Sequence, residues 1–171
     1  MTFGSLRLRL IGAAACAVIL ALAVSGVLLS RLFTEHVEAR VDAELTNHLN
    51  QIAASLEIGV DGALQVAIAP ADPRFATPNS GLFWQVQQSD GTRQRSRSLW
   101  DTVLILPDDR LQDGAIHRHE LIGPSGSPLI VLERGLTIGP DTRPIPVRLS
   151  VALDRREIAE AESGFRTVLV R

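Results

Sequence analysis

The feature that most constrains this chain is an apolar run over residues 10–30, which contains no charged residue. At about 1.5 Å per residue the run gives roughly 31 Å of helix, enough to cross a hydrocarbon core about 30 Å thick. Arg7 and Arg9 precede the run, and Arg31 follows it. We therefore predict a transmembrane helix over residues 10–30.

The charges beside the run predict its orientation. Arg7 and Arg9 have no acidic residue near them, so the positive-inside tendency places residues 1–9 in the cytoplasm and the chain after Arg31 outside it. The alternative is a secretory signal peptide, because basic residues precede the run and the small residues Ala21, Ala23 and Ser25 offer a cleavage site. The hydrophobic regions of signal peptides are usually shorter, about 7 to 15 residues, and the greater length of this run favours the membrane helix.

Small residues recur at every fourth position within the run. This spacing places them on one helical face, where small side chains let two membrane helices approach closely. We interpret the stripe as a transmembrane packing face made of Ala13, Ala17, Ala21 and Ser25.

Composition limits what the rest of the chain can be. The 171 residues allow the anchor and one domain of ordinary size, and the net charge of -2 gives no basic field for nucleic acid. The one cysteine, Cys16, lies in the apolar run, so neither an intramolecular disulfide nor a thiolate metal site can form. With no Tyr and two Trp, the core must consist mainly of aliphatic side chains.

After Arg31 the sequence becomes polar but keeps a helical period, which predicts an amphipathic helix over residues 31–58. Its apolar stripe consists of Phe33, Val37, Val41, Leu45, Leu49, Ile52 and Leu56. The spacing suits either a seam with a second copy of the chain or packing on the chain's own sheet. We expect His36 and His48, among the polar positions, to be solvated.

The remainder predicts an antiparallel sheet of about five strands, and hence an α+β fold. Alternation or apolar runs mark strands over residues 64–68, 82–86, 94–100, 115–122, 129–138 and 145–153. Turns are indicated by Asp90-Gly91 and by residues 123–128. Asp154 can cap a short C-terminal helix, after which residues 164–171 resemble the start of a truncated second transmembrane helix.

Two charged groups are candidate binding residues. Arg93, Arg95 and Arg97 occupy alternate positions, so on a strand their side chains would lie on the same face. They would form a basic stripe that could bind an anionic ligand or lipid headgroups. A loop places three carboxylates close together, as hard divalent metal ions prefer, at Asp108, Asp109 and Asp113. Solvated surface is the alternative for both groups.

Two histidines, His117 and His119, are two residues apart on a predicted strand. They would share one strand face, which suits metal binding or pH sensing, although a solvated face is the simpler interpretation. The serines show no nucleophile motif such as G-x-S-x-G, so an exported hydrolase is not supported.

Three stretches together resemble the extracytoplasmic sensor regions of bacterial two-component sensor histidine kinases. The first is GLFWQVQQSDGTRQRSRSLWD at residues 81–101, similar to a YWQ...DG...RSRSLWD pattern in that family. The others are HVEARVDAELTNHLNQIAASLE after the first membrane helix and VRLSVALDRREI before the expected second one. The resemblance covers nearly the whole chain.

The resemblance implies a PAS-like sensor domain over residues 59–163, joined to the helix over residues 31–58 and acting as a homodimer. It implies a parent protein in the inner membrane, with residues 31 to about 163 periplasmic. That parent would autophosphorylate a histidine and pass the phosphate to a response regulator. Expected partners also include membrane lipid and a small ligand or ion.

This segment contains none of the kinase motifs, so no catalytic residue and no cofactor are expected in it, and ATP and Mg²⁺ belong to the missing kinase part. HELIGP at residues 119–124 has the outline of a phosphoacceptor box, but prolines and glycines follow it and it falls on a predicted strand. The alternative function is a singly anchored periplasmic binding or structural protein without kinase activity.

Overall fold

The computed structural model describes residues 3–60, 63–107, 113–140 and 142–156 of the chain. Its fold is α+β, as predicted: one long N-terminal helix is followed by antiparallel strands. The chain divides into two compact units, Met1–Asp42 and Ala43–Arg171. The predicted acidic residues Asp108 and Asp109 lie outside the described residues.

Helix α1 extends over Phe3–Ala54. It is long and apolar enough to cross a membrane, and the side chains of its apolar run are exposed. The last turns of α1 differ in character, because Leu45, Leu49 and Ile52 are fully buried. These three residues belong to the predicted apolar stripe, and they pack within the chain's own domain.

The helix ends at Ala54, four residues before the predicted boundary. Ser55 closes it, since its backbone N–H donates to the Ile52 carbonyl at 2.9 Å and its hydroxyl donates to the Gln51 carbonyl at 2.7 Å. The chain then forms β1 (Leu56–Ile58), which pairs with β2 (Leu64–Val66) as a separate two-stranded sheet. The prediction of helix as far as residue 58 is therefore wrong.

The main sheet has five antiparallel strands in the order β4-β3-β7-β6-β5. Their bounds are β3 (Leu82–Gln88), β4 (Arg93–Arg95), β5 (Ile116–Ile122), β6 (Pro128–Ile138) and β7 (Ile145–Asp154). The 3-10 helices η1 (Pro73–Ala76) and η2 (Arg97–Leu99) lie between strands. Five of the six predicted strands form this sheet. The sixth, predicted over residues 64–68, is β2 of the separate two-stranded sheet, and its partner β1 was predicted to be helical.

One face of the main sheet is covered by the last turns of α1. Register places Trp84, Val151 and Leu132 side by side on this face, all buried. Arg134 lies on the same face and donates to Asn50 of α1 at 2.8 Å. This hydrogen bond connects the last turns of α1 to this face of the sheet.

The opposite face is covered by the segment that follows β4. Its core consists of Phe83, Leu99, Leu104, Leu129, Val131 and Ala152, with Leu106 and Leu121 packed against it. Because both faces are covered, β7 is buried on both sides from Leu149 onward.

Strand β4 is shorter than the predicted strand over residues 94–100. It ends at Arg95 because the next residues turn inward: the Ser96 hydroxyl accepts from the Trp84 N–H at 3.0 Å, and the Ser98 hydroxyl donates to the Leu82 carbonyl at 2.7 Å. Both serines are buried. The chain then crosses the sheet instead of extending its edge.

Strand β7 ends at Asp154, whose carboxylate accepts from the Arg156 N–H at 2.8 Å. Residues 155 and 156 are helical, so the cap predicted at Asp154 is present. The rest of the predicted C-terminal helix and the second transmembrane helix over residues 164–171 lie outside the described residues.

Candidate functional site

The face of the main sheet opposite α1, which is covered by the segment after β4, contains buried polar side chains among its apolar residues. Gln85 is fully buried, and its amide donates to the Leu104 carbonyl at 3.0 Å and accepts from the Leu104 N–H at 2.9 Å. This pair of bonds fixes the covering segment to β3. Glu133 on β6 is also fully buried on this face.

Glu133 is the centre of a charged group that we call the Glu133 cluster: Glu133, Arg148 and His119. Arg148 Nε donates to Glu133 Oε1 at 2.6 Å. His119 Nε2 lies 3.2 Å from Glu133 Oε2, at ion-pair distance but not aligned as a hydrogen bond. A buried carboxylate needs such partners, because desolvation costs several kcal/mol per ion.

Arg148 also connects the Glu133 cluster to the covering segment, since its Nη2 donates to the Pro107 carbonyl at 2.7 Å. Two open cavities meet at Gln87 and Arg148. One, of about 390 Å³, reaches Asp113 and the ends of β6 and β7. The other, of about 240 Å³, lies beside Arg93 under residues 103–106.

The structure divides the predicted basic stripe. Arg93 and Arg95 lie on β4 and are exposed, while Arg97 begins η2. Arg93 Nε donates to Gln87 Oε1 at 3.3 Å, which places its guanidinium at the smaller cavity, and Arg95 Nε donates to the Trp100 carbonyl at 3.2 Å. Ligand binding by these arginines stays a prediction.

Of the predicted acidic loop, the described residue is Asp113. It is exposed, and it forms an isolated bridge with Gly135. It lines the larger cavity together with Arg148. The loop's proposed role in metal binding stays a prediction.

His117 and His119 lie on one face of β5, as predicted, with ring centroids 6.4 Å apart. The simpler interpretation of a solvated face does not hold for His119, whose side chain is 15% exposed and faces Glu133. HELIGP begins on β5, as expected, so the histidine of this sequence is not on a helix.

A second polar group, the helix-end cluster, consists of Glu44, His48, Asp72 and Arg74. Arg74 Nη2 donates to Glu44 Oε1 at 2.6 Å and to Asp72 Oδ2 at 2.7 Å, which connects α1 to η1. Hydrogen bonds from Arg74 lower the pKa of Asp72, and the same contact with Asp72 raises the pKa of Arg74. The prediction of a solvated His48 is wrong, since it is buried beneath Phe75.

The stripe of small residues lies within the exposed apolar run of α1, at Ala13, Ala17, Ala21 and Ser25. A packing partner for it stays a prediction.

Sequence reasoning missed Glu133, Arg148 and the helix-end cluster. A signal for Glu133 was present, because alternation places it on the same strand face as Leu129 and Val131. The helix-end cluster has a weaker signal, since Glu44 and His48 are one helical turn apart but Asp72 and Arg74 come from a distant loop.

Comparisons of the chain with protein-family models, with characterised proteins and with solved structures find no match.

Proposed function

We propose that this chain is the extracytoplasmic signal-input module of a membrane sensor histidine kinase in a two-component phosphorelay. The observation that carries the proposal is the composition of α1. One helix contains both the membrane-length apolar run and the buried residues Leu45, Leu49 and Ile52 of the domain core. A change in the core is therefore coupled through continuous backbone hydrogen bonds to the apolar run.

The architecture of the second unit supports a PAS-like sensor domain. A helix covers one face of a five-stranded antiparallel sheet, and the first and last strands of that sheet are central neighbours. Counted along the chain, the strand order of this sheet is 2-1-5-4-3. The resemblance over residues 81–101 lies on β3, β4 and η2 of this sheet.

Signalling requires two conformations of the domain that bind the stimulus with different affinity. We place the ligand at the two cavities that meet at Gln87 and Arg148, the smaller of which is also lined by Arg93. The proposed module acts as a homodimer in the inner membrane with its domain in the periplasm. Contact with membrane lipid and transfer of phosphate to a response regulator belong to the same proposal.

The first experiment is to sequence the coding DNA beyond the codon for Arg171. The proposal expects an open frame through about 15 more apolar residues, a helical H-E-L-x-x-P box and nucleotide-binding motifs that use ATP and Mg²⁺. A stop codon directly after Arg171 would contradict it. That result would support the alternative, a singly anchored periplasmic binding or structural protein.

The second experiment tests the ligand part. The full-length kinase is coupled to a transcriptional reporter, and Arg93→Ala is compared with Arg95→Ala and Arg97→Ala. Arg93 lines the smaller cavity, so we expect Arg93→Ala to shift the stimulus response. An unchanged response in all three variants would overturn a ligand-binding role for these arginines.

A further inference from the structure

The helix-end cluster brings three metal-binding side chains together from two parts of the second unit. Glu44 and His48 are four residues apart on α1, and Asp72 caps η1. One atom from each, His48 Nε2 and a carboxylate oxygen of Glu44 and Asp72, lies within 4.8 Å of the other two. An imidazole with two carboxylates is a ligand set that suits zinc and similar transition metals better than Mg²⁺ or Ca²⁺.

The distances are close to those of a bound metal. In a tetrahedral zinc site with bonds of about 2.0 to 2.2 Å, neighbouring ligand atoms are about 3.4 Å apart. His48 Nε2 lies 3.9 Å from Glu44 Oε1 and 3.8 Å from Asp72 Oδ2. His48 Nε2 and each carboxylate oxygen would therefore need to approach by a few tenths of an ångström to coordinate one ion. The two carboxylate oxygens lie within 4.8 Å of each other, so they would need to approach by at most about 1.4 Å.

His48 is held in place without a hydrogen bond to either carboxylate. Its distances to them exceed the limit for a hydrogen bond, and its Nδ1 is buried without a hydrogen-bond partner in the described part of the chain. Phe75 packs edge-on against the imidazole at 5.1 Å. The ring is thus about nine-tenths buried and directs Nε2 at the two carboxylates.

The two carboxylates already bind a cation, the guanidinium of Arg74. Its Nη2 contacts both oxygens that a metal would use. Arg74 is about one-third exposed, so its side chain can move toward solvent when another cation replaces it. A divalent metal ion brings twice the charge and adds a bond to His48 that Arg74 does not make.

We propose that the helix-end cluster binds Zn²⁺ or a chemically similar divalent transition metal through Glu44, His48 and Asp72, and that the ion displaces Arg74 from the two carboxylates. Water fills the remaining coordination position, as is usual for a zinc site with three protein ligands. Binding replaces the guanidinium contact between α1 and η1 with a metal contact. This site is separate from the cavities beside Arg148, and its test does not depend on kinase function.

The test is isothermal titration of Zn²⁺ into the full chain, without a histidine tag, in detergent micelles with excess Mg²⁺. We expect one Zn²⁺ per chain. His48→Gln should weaken binding at least tenfold because it removes the nitrogen ligand. Arg74→Gln should tighten binding because it removes the competing cation. His117→Gln, a change of the same type on β5, is the matched control and should leave the affinity unchanged.

Loss of binding in His48→Gln could also result from unfolding, so a variant of a second metal ligand and an absorption spectrum serve as further tests. Glu44 is partly exposed, so Glu44→Gln should keep the fold, checked by circular dichroism, and still weaken binding. Co²⁺ in place of Zn²⁺ should give the visible absorption of a tetrahedral complex in the wild type and lose it in both variants. The proposal is overturned if neither the wild type nor Arg74→Gln binds Zn²⁺. It is equally overturned if folded Glu44→Gln and folded His48→Gln bind Zn²⁺ as tightly as the wild type does.

Discussion

At the residue scale, the two polar clusters show how this domain keeps charges inside. Glu133 is fully buried, and its Oε1 accepts a hydrogen bond from Arg148 on the neighbouring strand. The sequence predicted neither cluster as a unit. Alternation places Glu133 on a buried strand face, but its partners are set by register between strands, which no local pattern contains.

Replacing only one residue of the Glu133–Arg148 pair should lower the free energy of unfolding more than replacing both residues. Arg148→Met leaves a buried carboxylate without its main partner, and we expect a loss of about 3 to 5 kcal/mol of unfolding free energy. The double variant Glu133→Leu/Arg148→Met removes both charges and should lose less than Arg148→Met alone. Urea unfolding in detergent, followed by the emission of the buried Trp84, measures both. A double variant that is at least as unstable as Arg148→Met alone would contradict the expectation.

Asp72 makes stability depend on pH in a direction that can be tested. Hydrogen bonding from Arg74 lowers the pKa of Asp72 in the folded state. Its contribution is therefore complete above the ordinary aspartate pKa of about 3.9, and it is lost as the pH falls through the lower folded-state pKa. Asp72→Asn keeps a capping side chain for η1 but has no charge.

We expect the melting temperature of the wild type to exceed that of Asp72→Asn by a constant amount between about pH 5 and 6. The difference should shrink below about pH 4, where the carboxylate begins to protonate. Thermal melts of both proteins between about pH 2.5 and 6 measure it. A difference that grows as the pH falls would show that the sign is wrong.

At the element scale, the sequence predicted the strands whose signals are local and missed the boundaries that tertiary pairing determines. Asp90-Gly91 and residues 123–128 both form the predicted turns. Leu56 continues the helical period of the apolar stripe, yet it belongs to β1 because it pairs with Val66. The buried Ser96 and Ser98 similarly explain why the RSRSL stretch leaves the sheet after β4. In this chain the stretch has a structural role in the fold.

The turn between β6 and β7 depends on a glycine for two separate reasons. Gly139 has a φ of 105°, and an added Cβ would lie 2.9 Å from the Arg143 carbonyl oxygen and 3.2 Å from Ile58 Cδ1. Gly139→Ala should therefore cost about 2 to 3 kcal/mol of unfolding free energy. Gly91 has a φ of 89° with nothing near its Cβ position, so Gly91→Ala should cost about 1 kcal/mol. Urea unfolding compares the two.

Equal losses in the two glycine variants would show that backbone strain alone explains both values. A larger loss in Gly139→Ala would instead measure the close approach of β1 to this turn. Because Ile58 is the last residue of β1, the comparison also tests whether the small two-stranded sheet is fixed to the main domain.

At the scale of the whole molecule, the apolar run is either retained as a transmembrane helix or cleaved as a signal peptide, and the mature protein differs between the two cases. A transmembrane helix keeps residues 10–30 attached to the domain, whereas a signal peptide is removed. The proposed sensor function needs the first fate, because α1 is the element that contains both the apolar run and the core residues. The length of the run favours retention, since signal h-regions are about 7 to 15 residues long.

We therefore expect the wild-type chain, expressed in bacteria, to remain in the membrane fraction after an alkaline wash with its N-terminus at residue 1 or 2. Intact-mass spectrometry of the extracted protein measures this. Ala23→Leu is the control, because it replaces a small residue that a signal peptidase would need. Under our prediction it leaves the mass unprocessed, as in the wild type. A wild type that begins between about residues 22 and 30, with cleavage blocked in Ala23→Leu, would identify a signal peptide and remove the physical link on which transmembrane signalling depends.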